Sequence, residues 1–264
     1  MGGPAVKGQC GRRGFDSVLR MAETPDYLRP FVLSPPDREP EGTDTVDTYR
    51  PDGEGPFPIV VVVHGAPLPP GLEAQPRDWP LYRGYGRLLA EHGLLTAVVG
   101  YQLPITPGPD GLVLDYATAA DQVAAAVTAA RADPRADAER VVLWFFSGGA
   151  MLSAGWLHDA PAWLRGIALT YPVVTPLPGM VAAPGFAAPA EAVGPGAPPL
   201  LVTRVGREHP GFAEGVETFL TRAGDVELIE VPKGQHSFDI ADHTEESRAA
   251  VRQAVEWVRK RQAV

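Results

Sequence analysis

Three side chains stand where a hydroxyl, a carboxylate and an imidazole could do chemistry together: Ser147, Glu208 and His236. Ser147 ends the apolar run Val141 to Phe146 and is followed by Gly148 and Gly149, a strand, a sharp turn and then a helix pattern. Glu208 follows the run Leu200 to Val205, and His236 lies in the loop after Val226 to Val231. In an open α/β sheet such strand ends share one edge, where sites form. Acyl transfer by a serine needs a base to take its proton and an acid to orient that base. The small residues after Ser147 suit a tight turn. The helix beginning at Gly148 aims its free N–H groups back toward the serine, where an oxyanion could sit.

Other polar residues have plainer readings. His64 shapes its loop, His92 sits at a helix end that favours His⁺, His209 is a surface residue or a pocket wall, and His158 has no evident role. His236, Asp239, Asp242 and His243 cluster in sequence, but their spacing matches no zinc signature. The alternative is an exposed acidic helix start with Asp242 or Thr244 as N-cap. No metal and no cofactor are expected. Among the acids, Asp225 precedes a strand and Asp239 lies beyond the histidine, which favours Glu208. Ser153 and Ser237 read as structural.

The elements that must position these residues alternate. Thr43 to Tyr49 alternates as an edge strand. Ile59 to Val63 is an unbroken β-branched run, the mark of a strand buried on both faces, and ends in His64-Gly65-Ala66. Leu81 to His92 reads as a helix closed by Gly93. Leu94 to Val99 is a strand, about Asp115 to Ala132 a helix, and then comes the Ser147 strand. Strands follow at Gly166 to Tyr171, Leu200 to Val205 and Val226 to Val231. Helices follow at about Gly211 to Ala223 and Glu245 to Arg261. Such alternation predicts an α/β fold, a mostly parallel sheet with helices on both faces. Residues 1–40 read as an N-terminal leader and arm, and 41–264 as one domain. The Pro-rich stretch Pro172 to Pro199 reads as a short lid-like insertion.

Composition narrows the partners. The chain has 264 residues, 45% hydrophobic, with a net charge of −9 and one cysteine, Cys10. Its acidity argues against a nucleic-acid partner. Its longest apolar strand core is far short of the ~20 residues that span a bilayer, so no membrane partner is expected. No disulfide framework is possible within the chain, no secretory signal is apparent, and a cytoplasmic location follows as the expectation. A small-molecule substrate is expected, and a homodimer is left open.

Several segments resemble one family. His64-Gly65-Ala66, Gly100-Tyr101-Gln102-Leu103-Pro104, Trp144-Phe145-Phe146-Ser147-Gly148-Gly149, Gly206-Arg207-Glu208 and Gly234-Gln235-His236-Ser237-Phe238 occur in an order similar to that of the α/β-hydrolases, of the dienelactone-hydrolase and small-esterase type. The resemblance implies Ser147 as nucleophile, His236 as general base and acid, Glu208 as the orienting carboxylate, and the N–H groups of Ala66 and Gly148 as the oxyanion hole. Two departures stand out. Phe145 occupies the place of the family's glycine two residues before the serine, so the elbow is displaced or the ring walls the pocket. The acid is Glu rather than the commoner Asp. Phe146, Tyr101 and Phe145 are the candidate pocket residues.

The expected activity is cleavage of a small or medium carboxylic ester, lactone or thioester through an acyl-enzyme on Ser147. An alternative keeps the fold for a tailoring enzyme of secondary metabolism: a cyclase, lyase or acyltransferase. A non-catalytic binding module is the third reading.

Overall fold

The computed structural model describes residues 25–69, 71–72 and 74–263. The reading of Met1 to Gly14 as a leader, and Cys10 with it, lies outside the described residues. An eight-stranded sheet forms the centre, in the order β1 (Glu41–Gly42), β2 (Val46–Tyr49), β4 (Leu95–Val99), β3 (Phe57–Val63), β7 (Ala136–Phe146), β8 (Leu164–Thr170), β10 (Leu200–Arg207) and β11 (Val226–Gln235). From β4 to β11 every pairing is parallel, while β1 and β2 pair antiparallel at one edge.

Both faces are covered because alternate residues of each central strand point opposite ways. Ile59, Val61 and Val63 of β3, with Val141, Leu143 and Phe145 of β7, belong to one core layer, shared with α2 (Tyr116–Arg131) and α5 (Pro210–Arg222). Val60 and Val62, with Val142, Trp144 and Phe146, face the other layer, under α1 (Pro80–Glu91) and α7 (Glu245–Gln262). Among the described residues no helix is long and apolar enough to cross a membrane.

Two regions differ from the sequence expectation. The stretch after Tyr101, to which the sequence assigns no element, carries a hairpin, β5 (Ile105–Gly108) and β6 (Gly111–Leu114), and β6 pairs in parallel with β9 (Met180–Ala182). Pro172 to Pro199 was expected as a lid. It instead holds β9 and α4 (Pro189–Ala192), and its Val173, Val174, Ala188, Ala190 and Val193 are buried. Val174, Ala188, Ala190 and Val193 join the core layer shared with α2 and α5.

The segment before β1, read as part of an arm, packs on the body of the fold. Asp26–Leu28 makes one 3-10 turn, and Phe31 and Val32 are buried against the body. The Phe31 ring lies 4.8 Å from that of Tyr85 on α1. A β-carbon at Gly84 would collide with it.

Candidate active site

Ser147 leaves β7 with φ of 50°, a left-handed backbone that costs a non-glycine residue on the order of 1 kcal/mol. Close packing holds it there. A β-carbon on Gly148 would run into the Ala66 carbonyl, and one on Gly149 into that of His64. The missing β-carbon of Gly65 would stand 3.1 Å from the Ser147 β-carbon. The two glycines after the serine therefore let the turn lie directly on the loop that follows β3. Residues 147–153 then form a 3-10 helix, continued by the short α3 (Ala154–His158), where sequence suggested one regular helix.

Phe145 is fully buried in the α2-side core, and the Trp156 ring packs 6.0 Å away. Phe145 does not line the pocket. Phe146 is equally buried, edge-on to Tyr82 at 5.6 Å and beside Tyr85 at 4.8 Å. Tyr101 stacks on His64 at 4.2 Å and donates its hydroxyl to the His64 carbonyl at 2.8 Å. All three expected pocket residues are thus core. Residues just before the apex of a buried central strand have neighbours on both faces and no open side.

The structure brings three distant groups together. Ser147 Oγ lies 2.7 Å from His236 Nε2, and His236 Nδ1 lies 2.8 Å from Glu208 Oε2. Glu208 follows β10 directly, at a site whose turn needs Gly206, where a β-carbon would strike the Pro232 carbonyl. The extra methylene of Glu is accommodated by folding the side chain back: its Oε1 accepts the backbone N–H of His209 at 2.8 Å while Oε2 faces the imidazole. The Glu208 side chain is only 7% exposed, that of His236 28%. The imidazole thus has one edge on a buried carboxylate and the other on the serine, in the tautomer that carries hydrogen on Nδ1.

The histidine loop is held by polar contacts. Asp242 accepts the Gln235 backbone N–H and side-chain amide, both at 2.8 Å. Tyr171 and Phe212 lay their rings beside the imidazole, at 4.8 and 5.3 Å. Thr244, one of the two suggested N-caps, caps α7 by accepting the Ser247 N–H at 3.1 Å. His209 caps α5 through Nδ1, 3.2 Å from the Gly211 nitrogen. The weighed metal cluster is dispersed: Asp239 points inward to Tyr85 and Tyr171, and His243 binds the Pro30 carbonyl at 3.1 Å. No metal-holding group of His, Cys, Asp and Glu occurs among the described residues.

A cavity of about 370 Å³ opens over Ser147 and His236. Tyr27 of the arm, Leu68, Trp79, Tyr82 and Tyr171 are among its walls, with Gly65 and Ala66 at its floor beside the serine. Tyr82 accepts the Gly65 N–H at 3.0 Å and so pins the loop next to the serine. None of Pro172 to Pro199 lines it. The loop after His64, which the sequence places beside the pocket, supplies Ala66, Pro67 and Leu68, whereas Tyr27, Tyr82 and Tyr171 are walls the sequence does not single out. The single available signal was the arm, whose Tyr27 packs 4.8 Å from Trp79.

The architecture has known counterparts. A bacterial heroin esterase superposes with a TM-score of 0.64 at 21% identity, covering 92% of this chain and 87% of that one. Thermogutta terrifontis esterase 2 in its apo form gives 0.62 at 16%, covering 86% and 94%. A third structure, DphMB1, gives 0.62 at 18%, covering 87% and 88%. The fold is that of the α/β-hydrolases. No protein-family model and no curated protein matches the sequence. In α/β-hydrolase terms Ser147 occupies the strand-to-helix elbow after a central strand, and Glu208 and His236 follow in the chain order of that fold.

Proposed function

We propose that this α/β-hydrolase is a serine-dependent ester hydrolase. The observation that carries the reading is the continuous chain from Ser147 Oγ through His236 to Glu208, with spacings of 2.7 and 2.8 Å, at the floor of an open cavity. In this reading His236 Nε2 takes the serine proton as Oγ attacks the ester carbonyl. The imidazolium, held by Glu208, returns that proton to the departing alcohol, and water repeats the sequence on the acyl-enzyme. The backbone N–H groups of Ala66 and Gly148 are the proposed oxyanion donors. The contact of Gly148 with the Ala66 backbone supports the pairing. Pro67 has no N–H to offer.

The cavity favours a small or medium apolar acyl or alcohol group, since its walls are largely aromatic and aliphatic. The known structures support the class. They include the heroin esterase, and the Thermogutta enzyme has been captured both with butyrate bound and phosphorylated by paraoxon. A cytoplasmic location belongs to the same reading, supported by a chain whose single cysteine allows no internal disulfide framework. The test is hydrolysis of p-nitrophenyl butyrate together with labelling by a serine-directed phosphonate. Turnover and an adduct on Ser147 are expected, and both disappear in Ser147→Ala. Undiminished turnover in that variant would overturn the reading.

A further inference from the structure

One buried carboxylate takes no part in the Ser147–His236–Glu208 chain. Asp239 lies three residues after His236 and is fully buried. Its Oδ2 accepts the Tyr85 hydroxyl at 3.0 Å, and its two oxygens accept the Tyr171 hydroxyl at 3.0 and 3.1 Å. Removing a carboxylate from water to face two phenols is costly. Burial accordingly pushes Asp239 up to about 6. Burial and the nearby carboxylate push both phenols well above their usual range, so both stay donors.

The two tyrosines differ in what else they touch. Tyr85 comes from α1 and packs among Phe31, Trp144 and Phe146. Tyr171, at the end of β8, has φ of 36°, lines the cavity and lays its ring 4.8 Å from that of His236. The groups facing Asp239 are Tyr82 and Tyr85 from α1, Tyr171 from the end of β8, and His236 on its own loop. Arg207, from the end of β10, is turned to Asp242 at 3.2 Å. The arm meets Asp239 through main chain, the Val32 N–H donating to the Asp239 carbonyl at 2.9 Å. That bond survives a change of the Asp239 side chain.

We infer that Asp239 is a positioning residue for His236, acting through Tyr171. Its bond to the Tyr171 hydroxyl fixes the ring that flanks the imidazole, and its buried negative charge favours the imidazolium formed when Ser147 gives up its proton. The site then has two carboxylates in different roles: Glu208 bonds the imidazole directly, and Asp239 sets the wall behind it. The inference rests on the serine-hydrolase reading.

The test compares Asp239→Asn, Tyr171→Phe and Tyr85→Phe for kcat and KM across pH, with thermal unfolding measured alongside. Asp239→Asn is expected to lower kcat about tenfold with KM within about twofold. It should also move the acid limb of kcat/KM to lower pH by about half a unit, because a charge favouring the imidazolium is gone. Tyr171→Phe should lower kcat several-fold. Tyr85→Phe loses the same kind of bond without touching His236, and should cost stability but less turnover. A wild-type kcat and pH profile in folded Asp239→Asn would overturn the inference, and so would equal kcat losses in the two tyrosine variants. If Asp239→Asn fails to fold, the tyrosine comparison decides. A wild-type protein with neither ester turnover nor Ser147 labelling defeats the hydrolase reading and this inference together. Turnover with an unmoved Asp239→Asn profile defeats the inference alone.

Discussion

The turn carrying Ser147 and the loop carrying His236 meet across 2.7 Å, yet they are held by opposite means. The serine turn is fixed by exclusion: Gly65, Gly148 and Gly149 bring backbones into contact where no side chain fits. The histidine loop is fixed by polar attachment, through Glu208, Asp242 and the Tyr171–Asp239 pair. Steric fixation is rigid and insensitive to pH, and fails abruptly when volume is added. Polar fixation can be loosened by degrees and responds to protonation. In the proposed acyl transfer the first suits the group that must sit still and the second the group that must change charge.

That contrast can be attacked from its strongest point downward. Ser147→Ala removes the proposed nucleophile and should lower ester turnover by about 10⁴-fold or more, with the far-ultraviolet spectrum unchanged. A smaller effect would separate the site from the activity. Glu208→Gln keeps the shape of the attachment and removes its charge. A loss of about 10³-fold in kcat, with KM nearly kept, is expected from steady-state kinetics. Gly148→Ala forces a methyl into the Ala66 carbonyl. Displacement of one proposed oxyanion donor, whose N–H alanine keeps, should cost about 10²-fold or more in kcat, accompanied by a lowered melting temperature. Wild-type behaviour in that variant would break the claim that the turn is held by exclusion.

The loop beneath the serine turn carries one pH-sensitive group of its own. Burial pushes His64 down to about 4, and its Nδ1 lies 2.8 Å from the Gly65 carbonyl oxygen while Nε2 is buried without a partner. As pH falls below 6.5 the unfolded chain takes up a proton that the folded protein refuses. Stability is therefore lost between about pH 6.5 and 4, by at most ~3 kcal/mol. Asp239 acts the other way in the same window. Its raised pKa makes the folded state the better proton binder as pH falls through about 6, so its contribution is full below about 3.8 and lost above 6. Urea unfolding of His64→Asn against wild type isolates the His64 effect. The variant should lose less stability on acidification, and an unchanged difference across pH would contradict it. Smallest of all, Thr244→Ala removes the cap of the helix that follows the histidine loop, at a cost of about 1 kcal/mol in chemical unfolding. Ester turnover at saturating substrate should stay within about twofold, because Asp242 still holds Gln235.

The chain itself announced much of this. Unbroken β-branched runs such as Ile59 to Val63 can only be strands covered on both sides, and the structure buries them fully. The glycines after Ser147 marked a tight turn, and there backbones meet with no room for a side chain. The aromatic residues misled. Phe145, Phe146 and Tyr101 have the composition of a pocket wall, and Tyr27, Trp79 and Tyr82 have it too. Nothing along the chain says which set faces open space.

Local sequence therefore determined the elements and the three candidate reactive side chains, because strand burial, tight turns and side-chain chemistry are properties of a few neighbouring residues. Tertiary structure alone decided the distances between those side chains, the enclosure of the cavity by the arm, and the pairing of Asp239 with tyrosines from α1 and the end of β8. Those contacts join residues as far as 154 positions apart. Contacts across such separations are set by sheet order and helix packing, which no short pattern encodes.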